Sequence, residues 1–327
     1  MVLRQCDVGN LPVTGIPAAQ GLGLRRLPQG QVPQRPARGY GERNVNEEIT
    51  ERTARAGAST IHYAAAGDPT KAPVVLLHGW PQSWFEWRRV IPLLTPDYYV
   101  VAPAPRGLAK SSGGPGDYTK KALAADLHAV VTDTLRLDRF HLVGHDWGGP
   151  IAVHLAAMLP DRVRTLAVLD VTMPGDGRGG AMSIGPKWHI AFNMVPELPA
   201  ILTAGRERAY LTWYFTHYCT TPGALDDSLE TYIALYERPR VLADSFGYYT
   251  AIAADAADTA ALRAAGRLVM PVAAIGGGES RGGEVADSLR QIARDVVGYS
   301  FDGCGHFVPE ERPAETVAAL RALFARG

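Results

Sequence analysis

Short runs of apolar residues recur along residues 46–327 and are separated by segments with helical periodicity. The runs are Pro73–Leu77, Tyr98–Ala102, Phe140–Val143, Val163–Leu169, Val269–Ile275 and Val296–Phe301. Such runs are typical of strands that are buried on both faces of a parallel sheet. Two alternating segments, Ile49–Arg55 and Thr60–Ala65, predict a hairpin that precedes them. The sequence therefore predicts an α/β fold with a mostly parallel, eight-stranded sheet and helices on both faces.

Two segments depart from this alternation of strands and helices. Residues 1–45 contain seven Gly and five Pro but a single aromatic residue, Tyr40. Because they offer little apolar surface to offset the entropy of ordering, we expect a flexible arm. Residues 174–256 are rich in aromatic residues and show no convincing strand. They predict a helical cap above the carboxyl ends of the strands, where α/β folds bind ligands. The core is then formed by residues 46–173 and 257–327.

Composition and charge exclude several classes of protein. Lys and Arg number 33, as do Asp and Glu, which argues against a protein that binds nucleic acid or an anionic membrane through bulk charge. No apolar run reaches the length of a membrane-spanning helix, and the first residues lack the pattern of a secretory signal. The three cysteines, Cys6, Cys219 and Cys304, have neither zinc-site nor disulfide-framework spacing. We expect a cytoplasmic protein that requires no metal and no organic cofactor.

One motif indicates covalent chemistry. The strand Phe140–Val143 leads into Gly144-His145-Asp146-Trp147-Gly148-Gly149, and a helical pattern follows. Small residues around Asp146 allow a sharp strand-to-helix turn that raises its side chain above the sheet edge. The N-terminus of the following helix favours the ionised carboxylate. Such a carboxylate can displace a leaving group from a strained or activated carbon and form an alkyl ester, so Asp146 is the predicted nucleophile.

Hydrolysis of that ester requires a base and an oxyanion hole. His306 is the candidate base because it lies in a glycine-flanked loop after the last predicted strand, and the base comes last in this type of active site. The oxyanion hole requires two backbone N–H groups. We expect one from Trp147, the residue after the nucleophile, and the other from Trp80, which follows the strand Pro73–Leu77.

Three segments together carry a family resemblance: HGWP at 78–81, GHDWGG at 144–149 and GCGHFVPEE at 303–311. With them the chain resembles the α/β-hydrolase superfamily, and within it the epoxide hydrolases and haloacid dehalogenases that use an aspartate nucleophile. The resemblance covers about residues 46–327 and implies the α/β-hydrolase fold with a helical cap. It also implies an acid that orients His306. Asp170, after one predicted strand, is preferred, and Glu279, after the next, is the alternative.

The resemblance further implies proton donors in the cap for the leaving oxygen. It places them at His189 and Tyr249, with the adjacent Tyr248 as the alternative. The chain departs from its relatives after the fourth strand, where they carry Asp-x-Arg-Gly-x-Gly-x-Ser and this sequence reads APRGLAKS at 104–111. Because the Asp is replaced by Ala104, the pairing of Arg106 and the geometry of this loop are in question.

Three hypotheses about function follow. The favoured one is an epoxide hydrolase that opens a small apolar or aromatic epoxide with water. Relatives that cleave fluoroacetate have arginines near the nucleophile and a Trp after the cap histidine, whereas this chain has Trp147 and Ile190 next to those residues. The second is a haloalkanoate or haloalkane dehalogenase with the same Asp–His–Asp triad. The third is a ligand-binding descendant without catalysis. The oligomeric state is left open, a homodimer included.

Overall fold

The computed structural model describes residues 49–177, 187–266 and 268–327. The flexible arm predicted for residues 1–45 lies outside these ranges, as does one part of the predicted cap. Within the described ranges, no helix is both long enough and apolar enough to cross a membrane.

One mixed sheet forms the centre of the fold. Its strands are β1 (Thr50–Ala56), β2 (Ser59–Ala66), β3 (Ala72–Leu77), β4 (Tyr98–Pro103), β5 (Phe140–His145), β6 (Val163–Leu169), β7 (Val272–Gly277) and β8 (Val296–Phe301). They lie in the order β1-β2-β4-β3-β5-β6-β7-β8. Strand β2 is antiparallel to β1 and to β4, and all other neighbours are parallel. The predicted hairpin and the predicted mostly parallel, eight-stranded sheet are therefore confirmed.

Helices connect most of these strands. They are α1 (Ile91–Leu94), α2 (Lys120–Ala129), α3 (Gly148–Met158), α4 (Trp188–Asn193), α5 (Leu198–Thr203), α6 (Glu207–Tyr218), α7 (Leu229–Tyr236), α8 (Val241–Ser245), α9 (Gly247–Thr250), α10 (Ile252–Ala265), α11 (Glu284–Leu289), α12 (Val308–Glu311) and α13 (Pro313–Phe324). A 3₁₀ turn spans Trp84–Trp87, and a wide π turn over Val130–Thr134 continues α2.

Apolar side chains cover both faces of the sheet. Helices α2 and α3 pack on one face, through residues such as Leu123 and Ile151. Helix α13 packs on the other face through Leu320 and Leu323. Every residue of β5 is buried, as expected for a central parallel strand that is covered on both sides. The motif that contains Asp146 thus follows directly on a strand whose residues are all buried.

Strand β7 differs from its predicted position. It begins at Val272 rather than at Val269 and continues to Gly277. Pro271 precedes it and has no N–H to donate to a neighbouring strand, while Val269 is 59% exposed. The strand also continues past its predicted end at Ile275, so the backbone of Gly277 lies at the edge of the sheet where β5 and β6 also end.

Helices α4–α10 lie between β6 and β7 in the chain. Helix α10 runs from Ile252 to Ala265 without interruption, so the predicted domain boundary at residue 256 falls inside a helix. A buried ion pair joins the first turn of α10 to α2. Lys120 at the start of α2 places its Nζ 2.7 Å from Oδ2 of Asp255, and both side chains are almost fully inaccessible.

Candidate active site

Asp146 lies on a strained turn between β5 and α3. Its φ angle is 47°, a left-handed conformation that costs free energy for a residue other than glycine. A backbone hydrogen bond of 3.1 Å from the Asp146 N–H to the Leu169 carbonyl stabilises this conformation. A Cβ on Gly148 would lie 2.4 Å from the carbonyl oxygen of Leu77, so the turn accepts only glycine at that position. The predicted sharp turn is present.

Backbone donors surround the Asp146 carboxylate. The Trp80 N–H donates to Oδ1 at 2.9 Å, and the Trp147 N–H also stabilises the charged form. The backbone of the loop comes this close because Gly79 has no side chain: a Cβ there would lie 2.3 Å from Cβ of Asp146. The two backbone groups predicted for an oxyanion hole therefore lie at the nucleophile.

His306 lies between two carboxylates. Its Nδ1 is 2.7 Å from Oδ2 of Asp170, and its Nε2 is 3.4 Å from Oδ2 of Asp146. Burial alone would lower the pKa of His306, but the hydrogen bonds and charges of Asp146 and Asp170 raise it to about 9. Burial alone would likewise raise the pKa of Asp146, and His306 lowers it to about 2. Asp146 is thus a carboxylate and His306 an imidazolium at neutral pH.

Asp170, and not Glu279, is the acid that contacts His306. It accepts hydrogen bonds from the Gly277 N–H at 2.9 Å, the Arg281 N–H at 3.1 Å and the Ser280 hydroxyl at 2.6 Å. Burial raises the pKa of Asp170, but His306 first, and then the charge of Lys187 and the Ser280 hydroxyl, keep it below its usual value. Glu279 lies next to this loop but is exposed. The end of β7 supplies Gly277, one of the three groups that donate to Asp170.

Two cap residues face the nucleophile across a cavity. Nδ1 of His189 lies 2.8 Å from the Tyr218 hydroxyl, and burial lowers the pKa of His189 to about 3, so its ring is neutral. The Tyr249 ring lies edge-on to Trp80 and Trp147, with centroid distances of 5.3 and 5.4 Å. Burial and then nearby groups, Asp146 included, hold the pKa of Tyr249 well above 10, so its hydroxyl keeps its proton.

The alternative donor, Tyr248, points elsewhere. Its hydroxyl donates to the Arg106 carbonyl at 2.6 Å, and it is absent from the described residues that line the cavity. Arg106 itself bonds to Asp126 through Nε at 2.7 Å and to the Asp117 carbonyl through Nη2 at 2.6 Å. The loop that lacks an Asp at position 104 is therefore held by other partners, and Ser111 donates to the Ala104 carbonyl at 2.6 Å.

The cavity above Asp146 has a volume of about 540 Å³, within the range of small-molecule sites. Sequence reasoning did not assign several of its polar lining residues to the site, among them Lys187, Tyr214, Tyr218 and Arg281. For the two tyrosines a signal existed, because they are four residues apart on α6 and so share one face of that helix. For Lys187 and Arg281 no local pattern distinguishes them from surface residues.

A buried lysine supports one side of the oxyanion hole. The Nζ of Lys120 lies 4.1 Å from the centre of the Trp147 ring, a cation–π contact in a site without water access. Its Nζ also bonds to Asp255 and to the Tyr248 carbonyl. Lys120 thus ties Trp147, next to the nucleophile, to helices α9 and α10.

Comparison with known proteins agrees with this geometry. The profile of the α/β hydrolase fold family matches residues 72–206. A soluble epoxide hydrolase of Corynebacterium sp. (strain C12) is 32% identical over 293 residues, which is 86% of this chain and 99% of that protein. A fluoroacetate dehalogenase of Burkholderia sp is 35% identical over 174 residues, 52% of this chain and 49% of that protein.

Solved structures show the same fold. Cfl2 from Burkholderia cenocepacia superposes with a TM-score of 0.79 at 33% identity, covering 84% of this chain and 95% of that one. The epoxide hydrolase CorEH without ligand gives 0.77 at 31% identity, with 85% and 99% covered. This chain belongs to the α/β-hydrolase family. It is a hydrolase whose similarity to epoxide hydrolases extends over most of its length.

The charge arrangement at His306 can be measured directly. Asp146→Asn removes the negative charge beside Nε2 and preserves size, so the His306 pKa of about 9 should fall by at least about one unit. NMR titration of the imidazole measures this shift, with Glu279→Gln as a control in which the pKa is unchanged. An identical His306 pKa in wild type and Asp146→Asn would show that the two side chains do not interact.

The same pKa predicts how stability depends on pH. The folded-state pKa of His306, about 9, lies above the ordinary value of 6.5. The stabilising contribution of its imidazolium is therefore complete below about pH 6.5 and is lost as the pH rises through about 9. Thermal unfolding across this window should show a decline that is smaller in Asp146→Asn.

Proposed function

We propose that this enzyme hydrolyses epoxides to vicinal diols through an ester on Asp146. One observation carries the proposal: an ionised carboxylate, whose Oδ1 accepts a hydrogen bond from the Trp80 N–H, shares a cavity with two neutral proton donors, His189 and Tyr249. An epoxide needs both a nucleophile at carbon and a proton at oxygen. The similarity to epoxide hydrolases over most of the chain supports the same reaction.

In the first step, Oδ2 of Asp146 attacks an epoxide carbon and the carbon–oxygen bond breaks. The released oxygen takes the Tyr249 hydroxyl proton while it accepts a hydrogen bond from His189. Nδ1 of His189 is hydrogen-bonded to the Tyr218 hydroxyl, and in the tautomer with its proton on Nε2 the ring can donate that proton to the substrate oxygen. The Tyr249 phenolate then recovers a proton from the His306 imidazolium, which leaves His306 neutral.

In the second step, neutral His306 takes a proton from water, and the hydroxide attacks Cγ of the ester. Esterification has removed the Asp146 charge that raises the His306 pKa, so the imidazole can now act as a base. The Trp80 and Trp147 N–H groups bind the oxyanion on Oδ1. As the ester bond breaks, the His306 imidazolium donates its proton to the leaving alkoxide and the diol departs. The carboxylic acid that remains at Asp146 then gives its proton to His306, which restores the starting carboxylate and imidazolium.

Substrate profiling tests this proposal. We expect diol from styrene oxide, no fluoride from fluoroacetate, and neither product from Asp146→Asn. Fluoride release without diol would select the dehalogenase hypothesis. That hypothesis is supported by the similarity to the Burkholderia fluoroacetate dehalogenase over about half of the chain. Tight binding of epoxides without any turnover would select the ligand-binding hypothesis. Either outcome would overturn epoxide hydrolysis.

A further inference from the structure

Two cationic side chains lie in the cavity wall and have no role in the steps above. Among the described residues that line the cavity, Lys187 and Arg281 are the Lys and Arg side chains. Lys187 is two residues before the proton donor His189, and Arg281 follows Ser280, which bonds to Asp170. Both cations are therefore attached to segments that shape the reacting end of the cavity.

These cations are poorly neutralised. Lys187 has no hydrogen bond or ion pair of its side chain to any residue in the described ranges. Nη1 of Arg281 is 3.1 Å from Glu284, but that carboxylate is 53% exposed, so water screens the pair. Asp170 is nearby but already accepts hydrogen bonds from His306, Ser280 and two backbone groups.

The two cations also act on each other. Burial first, and the charge of Arg281 second, lower the pKa of Lys187 to about 8, against the opposing effects of Asp170, Glu284 and Asp146. Lys187 is therefore still mostly protonated at pH 7. Two like charges held together at a partly buried wall are unfavourable by themselves, and an anion between them would relieve the repulsion.

We infer that Lys187 and Arg281 bind a carboxylate carried by the substrate, so that this enzyme prefers epoxides bearing an acidic group. The inference rests on the proposed epoxide hydrolysis and adds its substrate class. The unpaired part of the Arg281 guanidinium offers the planar fork that suits a carboxylate, and Lys187 adds a point charge. The remaining wall is largely apolar, which suits the carbon chain between carboxylate and epoxide.

Matched substrates test the inference. We would compare terminal epoxides of ω-alkenoic acids of graded chain length with their neutral amides. Wild type should prefer the best acid over its amide by about tenfold in kcat/KM at low salt, and less at high salt. Lys187→Met and Arg281→Met should each remove most of this preference, so that the ratio of acid to amide kcat/KM falls toward one. Arg290→Met is the matched control, since Arg290 also pairs with an acid three residues away but does not line the cavity.

Each outcome has one meaning. Equal turnover of acid and amide by wild type would overturn the carboxylate site. Equal losses on both substrates in Lys187→Met would show that Lys187 only balances the charge of Asp170, and would overturn it as well. If no epoxide is turned over, the proposed function fails. Calorimetric binding of the saturated acid and amide then still measures whether the cavity prefers the anion and whether Lys187→Met abolishes that preference.

Discussion

Asp146→Ala should lower kcat for epoxide opening by at least about 10⁴-fold with little change in folding. In the proposed mechanism this carboxylate bonds to the substrate, and no other carboxylate is held by both Trp80 and His306 in the described part of the chain. Steady-state diol formation measures the loss. Circular dichroism and thermal unfolding check that the variant is folded.

A single turnover in ¹⁸O-labelled water extends this test. If Asp146 forms the ester, water attacks Cγ, so label should appear first in the Asp146 carboxylate and not in the diol of that turnover. Peptide mass spectrometry locates the label. Label that appears only in the diol would mean that water attacks the epoxide directly, and Asp146 would then be a base rather than a nucleophile.

His306→Gln should separate the two steps. The Asp146 carboxylate remains ionised and can still open the epoxide, but no imidazole activates water for the ester. We expect one equivalent of epoxide to be consumed rapidly, followed by turnover slower than wild type by about 10³-fold or more. Intact-protein mass spectrometry should show the mass of one added substrate.

Substitutions of two acids, Asp170 and Glu279, test whether ester hydrolysis depends on the residue that holds His306. Asp170→Asn should slow ester hydrolysis because Asp170 holds Nδ1 of His306 at 2.7 Å. Glu279→Gln should leave it unchanged because Glu279 is exposed. If His306→Gln forms no adduct and also fails to consume substrate, His306 acts before the ester exists, and the two-step mechanism proposed above is wrong.

Local sequence patterns predicted much of the site. Small residues around Asp146 predicted a turn that no larger side chain could enter, and the Cβ positions at Gly79 and Gly148 show the steric reason. The base followed from its place after the last strand. These predictions depend on a few consecutive residues, whose conformations are restricted whatever the rest of the chain does.

Other features required the packed fold. The choice between Asp170 and Glu279 depends on where β7 ends, and β7 continues to Gly277, past its predicted end at Ile275. The choice between Tyr249 and Tyr248 depends on which side of α9 faces the cavity, and Tyr248 instead bonds to the Arg106 carbonyl. Adjacent residues on a helix point about 100° apart, and an apolar pattern does not resolve which of two neighbouring tyrosines faces the site.

By itself, the sequence determined the class of fold and predicted that Asp146 and His306 would meet at one end of the sheet, because steric limits at glycines and the order of strands act over short stretches. Tertiary structure alone decided which acid and which tyrosine reach the site. It also brought Lys187 and Arg281 together from segments almost a hundred residues apart in the chain. Tertiary packing places both residues in one cavity wall. No pattern in the neighbouring sequence distinguishes such a Lys or Arg from one on the surface.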